Sequence, residues 1–132
     1  SDKRSEPDPV IEILLARKQM MEQVRKIMMD DRQLNFFFVL NAEYLAVEET
    51  RRALELLRQY NIHIGALVVN KLLPQDATSP FWEQKKQTER RNMAEIENLG
   101  VPTIYKIPLM DCDMNQYNIS HILPFFSPEL PV

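Results

Sequence analysis

The sequence predicts an α/β fold: a parallel sheet of about three strands with crossover helices. Three observations carry this expectation. The runs Asn35 to Leu40 (NFFFVL), Ile64 to Val69 (IGALVV) and Thr103 to Ile107 (TIYKI) are short, apolar and rich in β-branched or aromatic residues, as strands are. Between them lie two stretches long enough for helices and too long for hairpin turns. The order helix, strand, helix, strand, helix, strand then makes two βαβ units, whose crossovers are expected to be right-handed.

Each element has a local reason. Ser1 to Pro7 is polar and reads as a disordered N-terminal tail, leaving residues 8–126 as the α/β segment and 127–132 as a C-terminal tail. Asp8 followed by Pro9 is an N-cap with proline in the first helical turn. The helix it starts places Val10, Ile13, Leu14, Met20, Met21, Val24, Ile27 and Met28 on one side, broken at Arg17, and ends near Asp31. Core packing is the ordinary reading of that stripe. Its methionines also allow a groove for varied hydrophobic clients, because flexible thioethers adapt to different shapes.

NFFFVL is continuously apolar, which predicts a strand buried on both faces. A second helix is expected from about Ala46 to Tyr60, with Ala53, Leu54 and Leu57 inward and Glu48, Glu49, Arg51, Arg52 and Arg58 toward water. The second strand stops at Asn70-Lys71. Thr78, Ser79 and Pro80 start a third helix and Gly100 stops it, so Phe81 to Leu99 reads as helical, with the polar middle EQKKQTERRN as a solvated face. After Pro108 the pattern weakens, although Ile119, Ile122, Leu123, Phe125 and Phe126 suit a short helix or hooked segment covering the sheet.

Composition narrows the function classes. At 132 residues, 45% hydrophobic and 27% charged, the chain is ordinary for one globular domain, and a net charge of −3 gives no electrostatic footprint for nucleic acid. The single cysteine, Cys112, excludes an internal disulfide and a multi-cysteine zinc cage. Neither a signal peptide nor an apolar run long enough to span a membrane is visible, so a cytoplasmic location is expected. The only glycines are Gly65 and Gly100, so no glycine-rich phosphate loop exists in the chain.

The candidate chemistry lies at strand ends, because ligands of parallel α/β proteins sit beyond the carboxyl edge of the sheet. Asn70 there is placed to read the edge of a bound base, or else simply to end a strand and turn the chain. Asn70-Lys71 invites comparison with the N-K-x-D guanine-reading motif, but Leu73 holds the position of the carboxylate, which turns the reading from guanine toward adenine. Glu43 follows the first strand, either facing the same crevice or complementing a helix N-terminus. His63 and His121 have no ligand-spaced partners, and Asp111-Cys112-Asp113 is a poor metal cage.

Three blocks in order, FFFVLNAEYLAVEETRRALELL, IGALVVNKLLP followed by PFW and a polar helix, and VPTIYKIPLMD, resemble the C-terminal part of the arsenical pump-driving ATPases and the related tail-anchored-protein targeting ATPases. The resemblance covers roughly Phe36 to Met114 and implies a partial P-loop NTPase-like three-layer fold. It implies adenine reading by Asn70, a base-packing loop at Pro108 and a nucleotide-contacting Glu43 near a dimer interface. ATP and Mg²⁺ would be held by the intact protein, whose P-loop, metal-coordinating residues and water-activating aspartate belong to an N-terminal part with no counterpart here, and neither is expected to bind tightly to this chain alone. Implied partners are that N-terminal part, a second protomer in a homodimer, and a membrane pump subunit or hydrophobic client. Met114-Asn115-Gln116 after Asp113 departs from the family pattern, as does the lack of a zinc-bridging C-x-x-C after Pro74. The expected function is the adenine side of an ATPase driving oxyanion export or client targeting, inactive alone. The rival is a non-catalytic interaction domain that kept the fold and lost the nucleotide.

Overall fold

A computed structural model describes residue 6 and residues 8–127; the expected tails at 1–7 and 127–132 lie almost wholly outside the described residues. The elements run α1 (Pro9–Met29), β1 (Phe36–Asn41), α2 (Tyr44–Gln59), β2 (Ile64–Leu72), α3 (Pro80–Glu97), β3 (Ile104–Pro108) and a 3-10 helix, Ile119–Phe126. The sheet is parallel throughout, in the order β1-β2-β3.

Side-chain alternation divides the sheet into two unlike faces. Leu40, Leu67 and Val69 point to one face, with Phe36, Phe38 and Ile104, and meet Val47 and Leu54 of α2 and Ile96 of α3. Leu54, Leu67, Val69 and Ile96 are completely buried, so this is where burial stabilises the fold, at roughly 1.5–3 kcal/mol for each large side chain. With the strands in sequence order and both helices on that face, the two crossovers share one hand. Arg51 joins the helices by reaching Glu95 at 2.9 Å, a half-exposed pair worth at most about 1 kcal/mol.

The opposite face is open along β1, although Ala66, Val68 and Ile107 on the same face are buried. Phe37 and Val39 are 57% and 66% exposed, so β1 is not the doubly buried strand that its apolar run predicts. The reason is that α2 and α3 both lie on one face and nothing among the described residues covers the other beside β1, while the continuous apolar pattern shows that both faces suit burial. The 3-10 helix covers part of the open face beside β3, with the rings of Tyr105 and Phe126 5.2 Å apart, as expected of a hooked segment.

α1 corrects a second expectation. Asp8 caps it as predicted, its carboxylate accepting from the Val10 N–H at 3.0 Å, and the helix ends at Met29. Yet it buries no residue: Leu14, Val24 and Ile27 remain 58%, 48% and 44% exposed. The stripe is therefore not core within this chain. Helical periodicity specifies which side is apolar, but not whether anything covers it. No described helix is long and apolar enough to cross a membrane.

A third correction concerns α3. Ser79 caps it and Pro80 opens it as expected, but its polar middle is not uniformly solvated, because Lys86 and Asn92 are buried at 4% and 8% exposure.

Candidate functional site

At the carboxyl edge of the sheet the strand ends meet in register. Asn41 of β1 is aligned with Asn70 of β2, and Leu72 with Pro108 of β3. β2 does not stop at Asn70 as its sequence suggests. It continues to Leu72 through a bulge: Val69 pairs with Lys106 and Leu72 with Pro108, so three steps along β2 match two along β3. The extra residue is accommodated by Lys71 at φ 56°, a left-handed conformation unusual for a residue other than glycine. Asn70 holds this turn with its own side chain, whose Oδ1 accepts from the Lys71 N–H at 2.9 Å. Beyond the bulge the Leu109 N–H donates to the Leu72 carbonyl at 2.8 Å and ties the loop after β3 to β2.

These strand ends border a cleft of about 1090 Å³ on the open face. Asn70, Lys71 and Pro108 line it with Val68, Tyr105 and Phe126, and the loop Leu109 to Met114 forms its outer side. The volume lies just above the usual range for small-molecule sites, and the wall is mostly apolar with a few polar groups. Asn70 offers an amide donor and acceptor to an aromatic heterocycle, while Pro108 and the neighbouring rings offer flat contacts.

Of the three residues singled out from the sequence, the structure brings Asn70 and Pro108 together. Glu43 stands apart from the lining of this cleft. It is the exposed N-cap of α2, its side chain makes no capping hydrogen bond, and its N–H donates to the Asn41 carbonyl at 2.8 Å. Asn41, the register partner of Asn70 at the end of β1, does not line the cleft. Sequence reasoning misses Lys86, Glu89 and Asn92 of α3. Trp82, Lys86, Glu89, Met93 and Ile96 recur every three or four residues, which was the available sign that polar members of this helix face inward.

Among the described residues neither a glycine-rich phosphate cradle nor a cluster of metal ligands is present. Gly65 lies within β2 and Gly100 lies beyond the end of α3, so neither forms a cradle, and among the described residues no group of three or more His, Cys, Asp or Glu converges on a metal position. Around Cys112 the local bonds are structural: Asn118 Nδ2 donates to the Asp113 carbonyl at 2.9 Å and lies 3.5 Å from the thiol sulfur. The groups with perturbed acidity, Asp30 and Arg51, are both outside the cleft.

The family profile of the anion-transporting ATPases matches residues 2–121, nearly the whole chain. The chain belongs to that family. A candidate arsenical pump-driving ATPase 2 of Aquifex aeolicus is 35% identical over 95 residues, which are 72% of this chain and 31% of that protein. The ATPase ASNA1 homolog of Leishmania infantum is 36% identical over 107 residues, 78% of this chain and 26% of that one. ATPase GET3C of Arabidopsis thaliana is 29% identical over 101 residues, again 74% against 26%. The chain thus spans less than a third of these anion-transporting ATPase relatives, and its three-stranded parallel sheet with helices is part of a P-loop NTPase-like fold.

Proposed function

We propose that this chain forms the C-terminal, adenine-side portion of an ATP-binding ATPase that energises oxyanion export or client targeting. The observation that carries the reading is the juxtaposition of Asn70 and Pro108 in one cleft at the carboxyl edge of a parallel sheet, in a member of the anion-transporting ATPase family. Asn70 would pair with the amino edge of adenine, and Pro108 with Leu109 would pack against the ring. Leu73 gives guanine no carboxylate. Glu43, outside this cleft, would contact nucleotide only across an interface with a second protomer.

Phosphate binding, Mg²⁺ and hydrolysis would belong to a P-loop part, because phosphoryl transfer depends on neutralising and positioning the phosphates and this sequence carries no glycine-rich loop to do so. The open sheet face, with Phe37 and Val39 exposed, is where that part would complete the third layer. The exposed methionine-bearing face of α1 favours a contact with a hydrophobic client or pump subunit in a cytoplasmic dimer.

The test is a titration of the ¹⁵N-labelled chain with ATP, ADP and GTP. ATP and ADP are expected to shift the Asn70 side-chain amide and the Leu109 amide in a saturable way, GTP to leave them in place, and no ATP to be hydrolysed. Absence of any adenine-dependent shift at these groups refutes the adenine-side reading and leaves a protein-interaction domain without nucleotide.

A further inference from the structure

One face of α3 holds the main chain beyond both strand ends. The Lys86 ammonium donates to the carbonyls of Gln75 and Ala77 at 2.7 and 2.6 Å. Glu89 Oε2 accepts from the Leu73 N–H at 2.9 Å, and Asn92 Nδ2 donates to the Ala42 carbonyl at 2.9 Å. These side chains lie at intervals of three along the helix, so they share a side. Among the described residues, no buried side-chain polar atom lacks a partner. A helix facing a sheet ordinarily buries apolar groups here, and polar ones are costly unless bonded. All three bond main chain directly after β1 or β2, at Ala42 between Asn41 and Glu43, and at the segment leaving the β2 bulge.

We propose that Glu89, supported by Lys86 and Asn92, is the positioning residue that sets the aim of Asn70 into the cleft; this rests on the adenine-side reading above. The coupling is short. Glu89 fixes the Leu73 N–H, Leu73 is two residues from left-handed Lys71, and the Lys71 N–H is the donor that holds Asn70 Oδ1. Freed at Leu73, the bulge relaxes and Asn70 loses the bond that fixes its rotamer. A bulge beside a binding edge that re-aims a side chain needs such an anchor, because its extra residue is unpaired in the ladder.

The experiment uses the ¹⁵N-labelled 132-residue chain with Glu89→Ala, Glu89→Gln and Glu89→Asp. The three readouts are amide exchange at Leu73, the Asn70 side-chain amide signal, and the ATP dependence of that signal. Glu89→Ala is expected to speed exchange at Leu73 by about tenfold, the value of one charge-assisted hydrogen bond. It also moves the Asn70 signal and weakens the ATP response several-fold, with Val68 and Val69 unchanged. Glu89→Gln restores all three, since its carbonyl still accepts, while Glu89→Asp is too short to reach and behaves as alanine. If Leu73 exchange and the Asn70 signal are the same in Glu89→Ala, Glu89→Asp and the parent chain, the positioning role is overturned. Rescue failing in Glu89→Gln overturns it equally. A parent chain that gives no ATP response sinks the adenine-side reading separately, because the exchange and Asn70 signals without nucleotide still report whether Glu89 sets that side chain.

Discussion

Replacing Lys86 by methionine decides whether a buried ammonium stabilises this fold or merely survives in it. The residue is 4% exposed, and its nitrogen is 2.7 Å from the Gln75 carbonyl, 2.6 Å from that of Ala77 and 3.5 Å from Glu83. Glu83 is 53% exposed and contributes little. Two charge-assisted bonds are worth roughly 3–6 kcal/mol if both acceptors stay dry when the amine is gone. Gln75 is exposed, so its carbonyl rehydrates and that share largely disappears; Ala77 is half-buried and keeps most of its penalty. Methionine matches the stem in shape, so a packing loss is minor. The expected destabilisation is therefore about 1.5–3 kcal/mol, read as a lower urea midpoint at constant slope, with faster amide exchange confined to residues 73–79. The opposing effect is the relief from burying a charge, several kcal/mol in principle. A Lys86→Met chain as stable as the parent, or more so, shows that desolvation outweighs the bonds and refutes the reasoning.

Other perturbations separate packing, backbone and surface effects. Leu54→Ala, at a completely buried position between α2 and the sheet, is expected to cost about 2–5 kcal/mol by chemical denaturation, and a loss below 1 kcal/mol would mean that this face is not the core. Gly100 has φ +80° with the Arg58 guanidinium 3.2 Å from where a Cβ would stand, so Gly100→Ala should cost roughly 1–2 kcal/mol in the same assay. On the open sheet face, Phe37→Ser with Val39→Ser should change stability by no more than about 0.5 kcal/mol and reduce self-association in sedimentation velocity; substantial unfolding would show that this face is covered within the chain. Side-chain and then backbone hydrogen bonds from Arg32, followed by Gln33, hold Asp30 below its ordinary 3.8. Because the folded value is depressed, its contribution to the turn after α1 is complete above the ordinary value and is lost as pH falls through the lowered one. A carboxyl-carbon NMR titration with a midpoint at or above 3.8 would contradict that geometry.

Much of the architecture was legible because its signals are local. Asp8-Pro9 and Ser79-Pro80 each place a side-chain acceptor before a proline that tolerates the first turn, and both start helices as read. The three apolar runs became the three strands, paired in parallel because helices separate them. The blocks around Asn70 and Pro108 carry the family resemblance in the sequence alone. What failed was assignment of partners. NFFFVL predicts a doubly buried strand and the stripe of α1 either core or a client groove, yet an apolar side chain states only a preference for burial. EQKKQTERRN predicts a solvated face because lysine, glutamate and asparagine are usually exposed; the carbonyls and N–H that admit Lys86, Glu89 and Asn92 come from residues up to 50 positions away.

By itself, the sequence determined the order and type of the elements, their caps, membership of the anion-transporting ATPase family and the placing of Asn70 near a strand end. These depend on neighbours within a few residues or on matched blocks of chain. Only the tertiary structure decided that β2 runs through a bulge past Asn70, that Pro108 shares its cleft while Glu43 does not, and that α3 anchors both strand ends. Those outcomes depend on ladder register and on hydrogen bonds between segments distant in sequence, where a one-residue shift redirects a side chain to the other face of the sheet.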